Sequence, residues 1–70
     1  MSEEFFTLES EYITLGQFLK ITDFIQSGGQ ARFFLENNEI LINGEPENRR
    51  GKKLYPQDKI QIGERTFIIK

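Results

Sequence analysis

The sequence predicts a small α+β domain in which two N-terminal helices pack on a small curled antiparallel sheet. Three observations carry that reading. Leu15, Phe18, Leu19 and Thr22 recur at i, i+3, i+4 and i+7, the spacing of one helix face. A second helical stretch follows the glycine pair Gly28–Gly29, and beyond it short runs alternate apolar and polar residues. Asn43–Gly44, set between two such runs, is the strongest two-residue hairpin signal a sequence can carry. Helices followed by strands, rather than alternating with them, give the α+β class.

Taken in order, "EEFFTLES" reads as a short extended segment suited to a sheet edge. In "TLGQFLKITDFIQS", Thr14 is placed to cap a helix, its hydroxyl accepting an otherwise unpaired amide N–H of the first turn. Ile21, Phe24 and Ile25 widen the apolar stripe of that helix. Gly16 is unfavourable inside a helix and is expected to mark close packing. In "SGGQARFFLENN", Ser27 is the expected cap, and Ala31, Phe34 and Leu35 share a face. Phe33 falls nearly opposite that face and Arg32 lies on its flank. Asn37 or Asn38 is expected to end the helix in a left-handed conformation. "EILINGEPE" reads as strand, turn, strand, with Pro46 confined to an edge. "NRRGKK" is a polar loop. A turn at Pro56–Asp58, a strand through Ile60 and Ile62, a tight turn at Gly63–Glu64 and a last strand Thr66–Ile69 complete the chain.

Seventy residues form one small domain, 1–70, with a correspondingly small core. There is no cysteine and no histidine. A disulfide framework, a thiolate metal site and the usual neutral-pH acid–base are therefore excluded, and no metal or other cofactor is expected. No apolar run approaches the length of a membrane span, and the start "MSEEFF" is acidic, unlike a secretory leader. A soluble, cytoplasmic protein with no membrane partner is the expectation.

The net charge of −2 hides an asymmetry. Residues 1–48 hold nine acidic and two basic residues, and residues 49–70 hold seven basic and two acidic ones. Four of the bases, Arg49, Arg50, Lys52 and Lys53, surround Gly51. A surface field is set by charges within a Debye length, roughly 10 Å at 0.1 M salt, so this cluster attracts anions although the whole chain is acidic.

Catalytic readings are weak. A nucleophile would have to be Ser, Thr, Lys or a carboxylate, and none sits in an activating motif. Glu45 and Glu47 around Pro46 suit a solvated edge strand better than a carboxylate pair. "SGGQA" lacks the full spacing of a nucleotide-binding glycine loop. It is either a helix–helix turn or a place where open amides meet an anion. "RRGKK" combines the planar guanidinium fork, the flexible ammonium and a glycine that permits close approach, all suited to phosphate. A solvated loop or a charged guard of a sheet edge would look the same. Phe33, beside Arg32, is placed either to stack on an unpaired base or, the reading favoured here, to pack under the "FFTL" segment.

These segments, in this order, resemble the RNA-binding domain named after ribosomal protein S-four of the small subunit. The residues that carry the resemblance are Leu15–Leu19, Ser27–Gly29, Ala31–Arg32, Ile40–Gly44, Arg49–Lys53 and Asp58–Ile62, spanning about residues 12–63. The run "GGQAR…ILINGEPENRRGKKL" looks like the short stand-alone bacterial members, the YaaA and YbcJ type. The resemblance implies the S-four-type fold with its alpha-L motif, and binding of structured RNA, ribosomal RNA above all. The contact surface would be the second helix and the loop after the hairpin. Arg32, Arg49, Arg50, Lys52 and Lys53 match the family's basic positions, and Gly28, Gly29 and Gln30 match its helix entry. The chain departs from the family where Thr14-Leu15-Gly16 replaces Arg-Leu-Asp, where Gln30 and Phe33 replace bases of the second helix, and where Asn38 replaces a glycine. The 49–53 loop is therefore expected to carry more of the binding.

The resulting expectation is a non-catalytic, monomeric RNA-binding protein with its acids turned away from RNA. Glu36 and Glu39 on the same surface as the loop would count against that last point. The alternative is a protein-interaction module or adaptor that uses the acidic surface or an aromatic patch around Phe5, Phe6 and Phe33. DNA is a poorer fit, since the second helix offers only Gln30, Arg32 and Asn37 for reading bases.

Overall fold

The computed structural model describes residues 2–70. Two short helices, α1 (Leu15–Ile21) and α2 (Ala31–Asn37), precede most of the strands. The strands are β1 (Ser2–Phe6), β2 (Ile13–Thr14), β3 (Ile40–Ile42), β4 (Glu45–Pro46), β5 (Lys53–Leu54), β6 (Lys59–Ile62) and β7 (Arg65–Ile69). Five of them form an open sheet in the order β1-β7-β6-β3-β4, and β2 pairs with β5 in a separate two-stranded ladder.

The α+β class holds, but the sheet is mixed rather than antiparallel, and it is not one curled sheet. β1 runs parallel to β7, with Phe5 opposite Ile68 and Phe6 opposite Ile69. Nearly the whole chain lies between these two strands, so no hairpin dictates their direction. The parallel arrangement lays Phe6 edge-on against Phe18, ring centroids 5.2 Å apart. The β2–β5 ladder stands apart from the sheet, and its Ile13 and Leu54 are both buried in the core.

Thr14 caps α1 as its sequence indicates. Gln17 N–H donates to Thr14 Oγ1 (3.3 Å) and Thr14 N–H donates back to Gln17 Oε1 (3.2 Å). The helix ends sooner than its apolar pattern suggests. Asp23 takes a left-handed φ of 70°, its N–H donates to Lys20 O, and Phe24 N–H donates to Leu19 O, which is a Schellman closure. Phe24 and Ile25 thus lie past the helix, and Ile21 points to solvent. Ser27 makes no side-chain cap bond; a single 3-10 turn, Gly28–Gln30, leads into α2 instead. Asn38 ends α2 in an extended, not left-handed, conformation. The amides of Asn37 and Asn38 donate to the carbonyls of Phe33 and Phe34, which satisfies the last turn without a left-handed residue.

The hairpin turn forms as expected, with Asn43 and Gly44 both at positive φ (55° and 87°), the pattern of a type I′ turn. Pro46 sits on the edge strand β4. The core is Leu15, Phe18 and Leu19 of α1, Ala31 and Leu35 of α2, and the inward residues Ile40, Ile42, Ile60, Ile62, Phe67 and Ile69 of the sheet. Ile13, Ile25 and Leu54 complete it.

Candidate nucleic-acid interface

The basic loop is fastened to the start of α1 through its backbone. Leu15 N–H donates to the Lys52 carbonyl (2.8 Å) and Gly16 N–H to the Arg50 carbonyl (2.9 Å). Lys52 N–H closes a tight turn onto Arg49 O (3.2 Å). The helix amides that an anion could have used are therefore taken up in holding the loop. The arrangement brings the backbone of the 49–53 loop against the start of a helix whose first turn carries no acid.

Gly16 is the point where three site elements converge. A methyl group added there would lie 3.4 Å from Arg50 O, 3.5 Å from Arg50 Cβ and 3.8 Å from Ala31 Cβ. The loop and the start of α2 therefore meet over one glycine at distances that leave room for a methyl group, so the packing there is ordinary rather than close. Ala31 is buried, which turns the adjacent Arg32 outward.

The expected contact residues differ in how free they are. Arg50, Lys52 and Lys53 take part in no ion pair among the described residues. Arg49 is held by Glu47, with Nε to Oε2 at 2.9 Å, Nη2 to Oε1 at 3.2 Å and the Arg49 N–H to Oε2 at 3.1 Å. The Arg49 guanidinium holds the Glu47 carboxyl well below its usual range, at about 2, against a desolvation that pushes the other way. Arg32 makes an exposed i,i+4 pair with Glu36 at 3.2 Å, a link too weak to immobilise it. Gln30 uses its side-chain oxygen to accept the Gln26 N–H (2.7 Å), so it supports the helix entry. Gly28 and Gly29 are exposed and neither has a positive φ, so neither is required by backbone conformation.

The acids are less segregated than the sequence halves suggest. Glu36, Glu39 and Glu47 line one groove that continues to Asn48, next to Arg49. Two bases of the second half are neutralised by the first: Lys59 meets Glu3 at 3.7 Å, and Arg65 meets Glu4 at 2.8 Å through both its Nε and its Nη2. Arg65 holds the Glu4 carboxyl below its ordinary value.

Phe33 does not pack under the N-terminal segment. It is 71% exposed on the outer face of α2, next to Arg32. Phe6 is instead drawn against the core, while Phe5 remains exposed with the Lys70 ammonium 4.1 Å from its ring.

A pair of aromatics that the sequence reading passed over lies beside the loop. In the β2–β5 ladder Ile13 is opposite Leu54 and Thr14 opposite Lys53, so Tyr12 and Tyr55 face each other at its end. Their rings are 6.0 Å apart, and Lys53 Nζ lies 4.8 Å from the Tyr12 ring. The alternation in "YIT" and "KLY" was the available signal, too short to read as a strand pair before its partner was known.

Comparison with known proteins follows the same lines. The family model of the S4 domain matches residues 6–70. A Bacillus subtilis (strain 168) protein described as the probable ribosome maturation protein RlbA is 57% identical over 56 residues, covering 80% of this chain and 79% of that protein. No helix among the described residues is long and apolar enough to cross a membrane. With its helix pair, its Asn–Gly hairpin and its basic loop matched along nearly the whole length, the chain belongs to the S4 domain family.

Proposed function

We propose that this chain is a non-catalytic RNA-binding module that docks on structured ribosomal RNA through its 49–53 loop and the exposed start of α2. The observation that supports this most is the loop itself. Its backbone is fixed to α1 by two hydrogen bonds, while Arg50, Lys52 and Lys53 remain outside any ion pair among the described residues. A fixed backbone with unpaired cations is preorganised for phosphate, because little ordering remains when RNA binds. Arg32 adds a fourth charge, and Arg49 a fifth once Glu47 releases it. The Gly28–Gln30 turn serves to position α2. Selectivity comes from the shape of the RNA, since the deep major groove of a duplex hides its bases from side chains. The family membership and the relative's description favour ribosomal RNA over other RNAs.

The test is binding to a structured ribosomal RNA fragment across a salt series, comparing wild type with a variant carrying Arg49, Arg50, Lys52 and Lys53 changed to Gln. About four phosphate contacts give a slope of log K against log salt of roughly −3. Loss of both affinity and slope in the variant supports the loop as the RNA site. Equal behaviour of the two proteins makes the loop a solvated turn and points to a protein partner instead.

A further inference from the structure

We propose that Tyr12 and Tyr55, with Lys53, form a stacking platform for a single unpaired nucleotide at the edge of the RNA surface. This deepens the RNA reading above and rests on it.

Tyr12 and Tyr55 are 40% and 47% exposed, although their rings pack across the ladder with centroids 6.0 Å apart. Tyr55 is the more open ring. It also borders an open surface depression together with Arg49, Gly51, Lys52 and Lys53. An exposed aromatic ring and cations thus border the same depression, which is the combination that holds one nucleotide: base on ring, phosphate on ammonium or guanidinium. Lys53 lies against Tyr12, which keeps its charge beside the rings. The loop is fixed at Arg50 and Lys52 by α1, and Lys53 and Leu54 are fixed by β2, so the distance from the phosphate-contacting loop to the rings is set by the fold. A duplex offers no base face to such a platform; a bulge or a splayed nucleotide does.

The chain has two tyrosines and no tryptophan, so its tyrosine emission reports on these two rings alone. The experiment titrates the protein with a blunt RNA duplex and with the same duplex carrying one bulged adenosine. Wild type is expected to bind the bulged duplex about tenfold more tightly, with saturable quenching of tyrosine emission. Tyr55→Ala is expected to abolish that preference while leaving affinity for the blunt duplex unchanged, and Tyr55→Phe to retain it. If the rings only stabilise the ladder as a cross-strand pair, both duplexes bind equally, emission does not respond and Tyr55→Ala changes neither affinity. That outcome overturns the platform and leaves the loop reading standing. Failure of wild type to bind either duplex while it binds the ribosomal RNA fragment overturns the platform alone, and failure to bind that fragment as well overturns both.

Discussion

Glu47 holds one of the five basic residues proposed to meet RNA. Its side chain is 12% exposed while the Arg49 side chain it holds is 72% exposed, so the carboxylate is the fixed member of the pair and the guanidinium the movable one. Phosphate and Glu47 compete for the same planar fork. Glu47→Gln removes one negative charge and releases Arg49. RNA affinity is expected to rise severalfold at 0.1 M salt, and the slope of log K against log salt to steepen by just under one. An unchanged slope would mean that Arg49 reaches phosphate without leaving Glu47. The same pair sets an acid dependence of stability. The folded carboxyl titrates at about 2 against a reference of 4.5, so the unfolded chain takes up the proton first as pH falls. The stabilisation is complete above pH 4.5 and is lost as pH falls toward 2. Thermal melts across that window should show wild type losing its advantage over Glu47→Gln, with the two converging at the acid end. The sequence displayed Glu47 and Arg49 two residues apart, but whether they touch depends on the backbone between them, which no motif encodes.

Elements formed where a local signal and a tertiary need coincided. α1 has a capping box, an apolar stripe and the loop anchor at its start, and its position was legible to the residue at the N-terminal end. Its C-terminal end was not, because the stripe runs on through Phe24 and Ile25, which pack from the loop after the Schellman turn. The Asn43–Gly44 hairpin was legible because only a few residue pairs accept positive φ twice. The β2–β5 ladder and the parallel β1–β7 pair were not legible, since pairing between distant segments leaves no local periodicity. Two substitutions test this division. Gly44→Ala is expected to cost about 1 kcal/mol from backbone strain alone, because φ is 87° and nothing lies within 4 Å of the added methyl. Gly16→Ala is expected to stabilise by about 0.5 kcal/mol, since the methyl fits at ordinary contact distance and alanine favours helix. Denaturant midpoints measure both. A destabilised Gly16→Ala would show that the loop sits tighter on α1 than these contacts allow.

At the scale of the whole molecule, charge and size act together. The Cα framework spans 26 × 26 × 19 Å, and the net charge is −2. At 0.1 M salt the Debye length is roughly 10 Å, so an RNA at the loop feels the nearby cations and little of the far side. At 0.01 M it is roughly 30 Å, longer than the molecule, and the RNA then feels the acids as well. The linear fall of log K with log salt should therefore hold near physiological ionic strength and flatten or reverse toward 0.01 M. A purely local interface would instead keep strengthening as salt is removed. Glu45, Glu47 and Asp58 share a groove with Arg49, Lys52 and Lys53, and the neighbouring groove adds Glu36 and Glu39. Glu36→Gln with Glu39→Gln brings the net charge from −2 to 0 without touching the loop. This double variant is expected to restore a straight line down to low salt, with little change in affinity at 0.15 M. If the curvature persists, the repulsion comes from the remaining acids, Glu45, Glu47 and Asp58 beside the loop among them. If wild type shows no curvature at all, the loop's cations dominate at every range, and the acidic groove has no part in limiting adhesion to RNA.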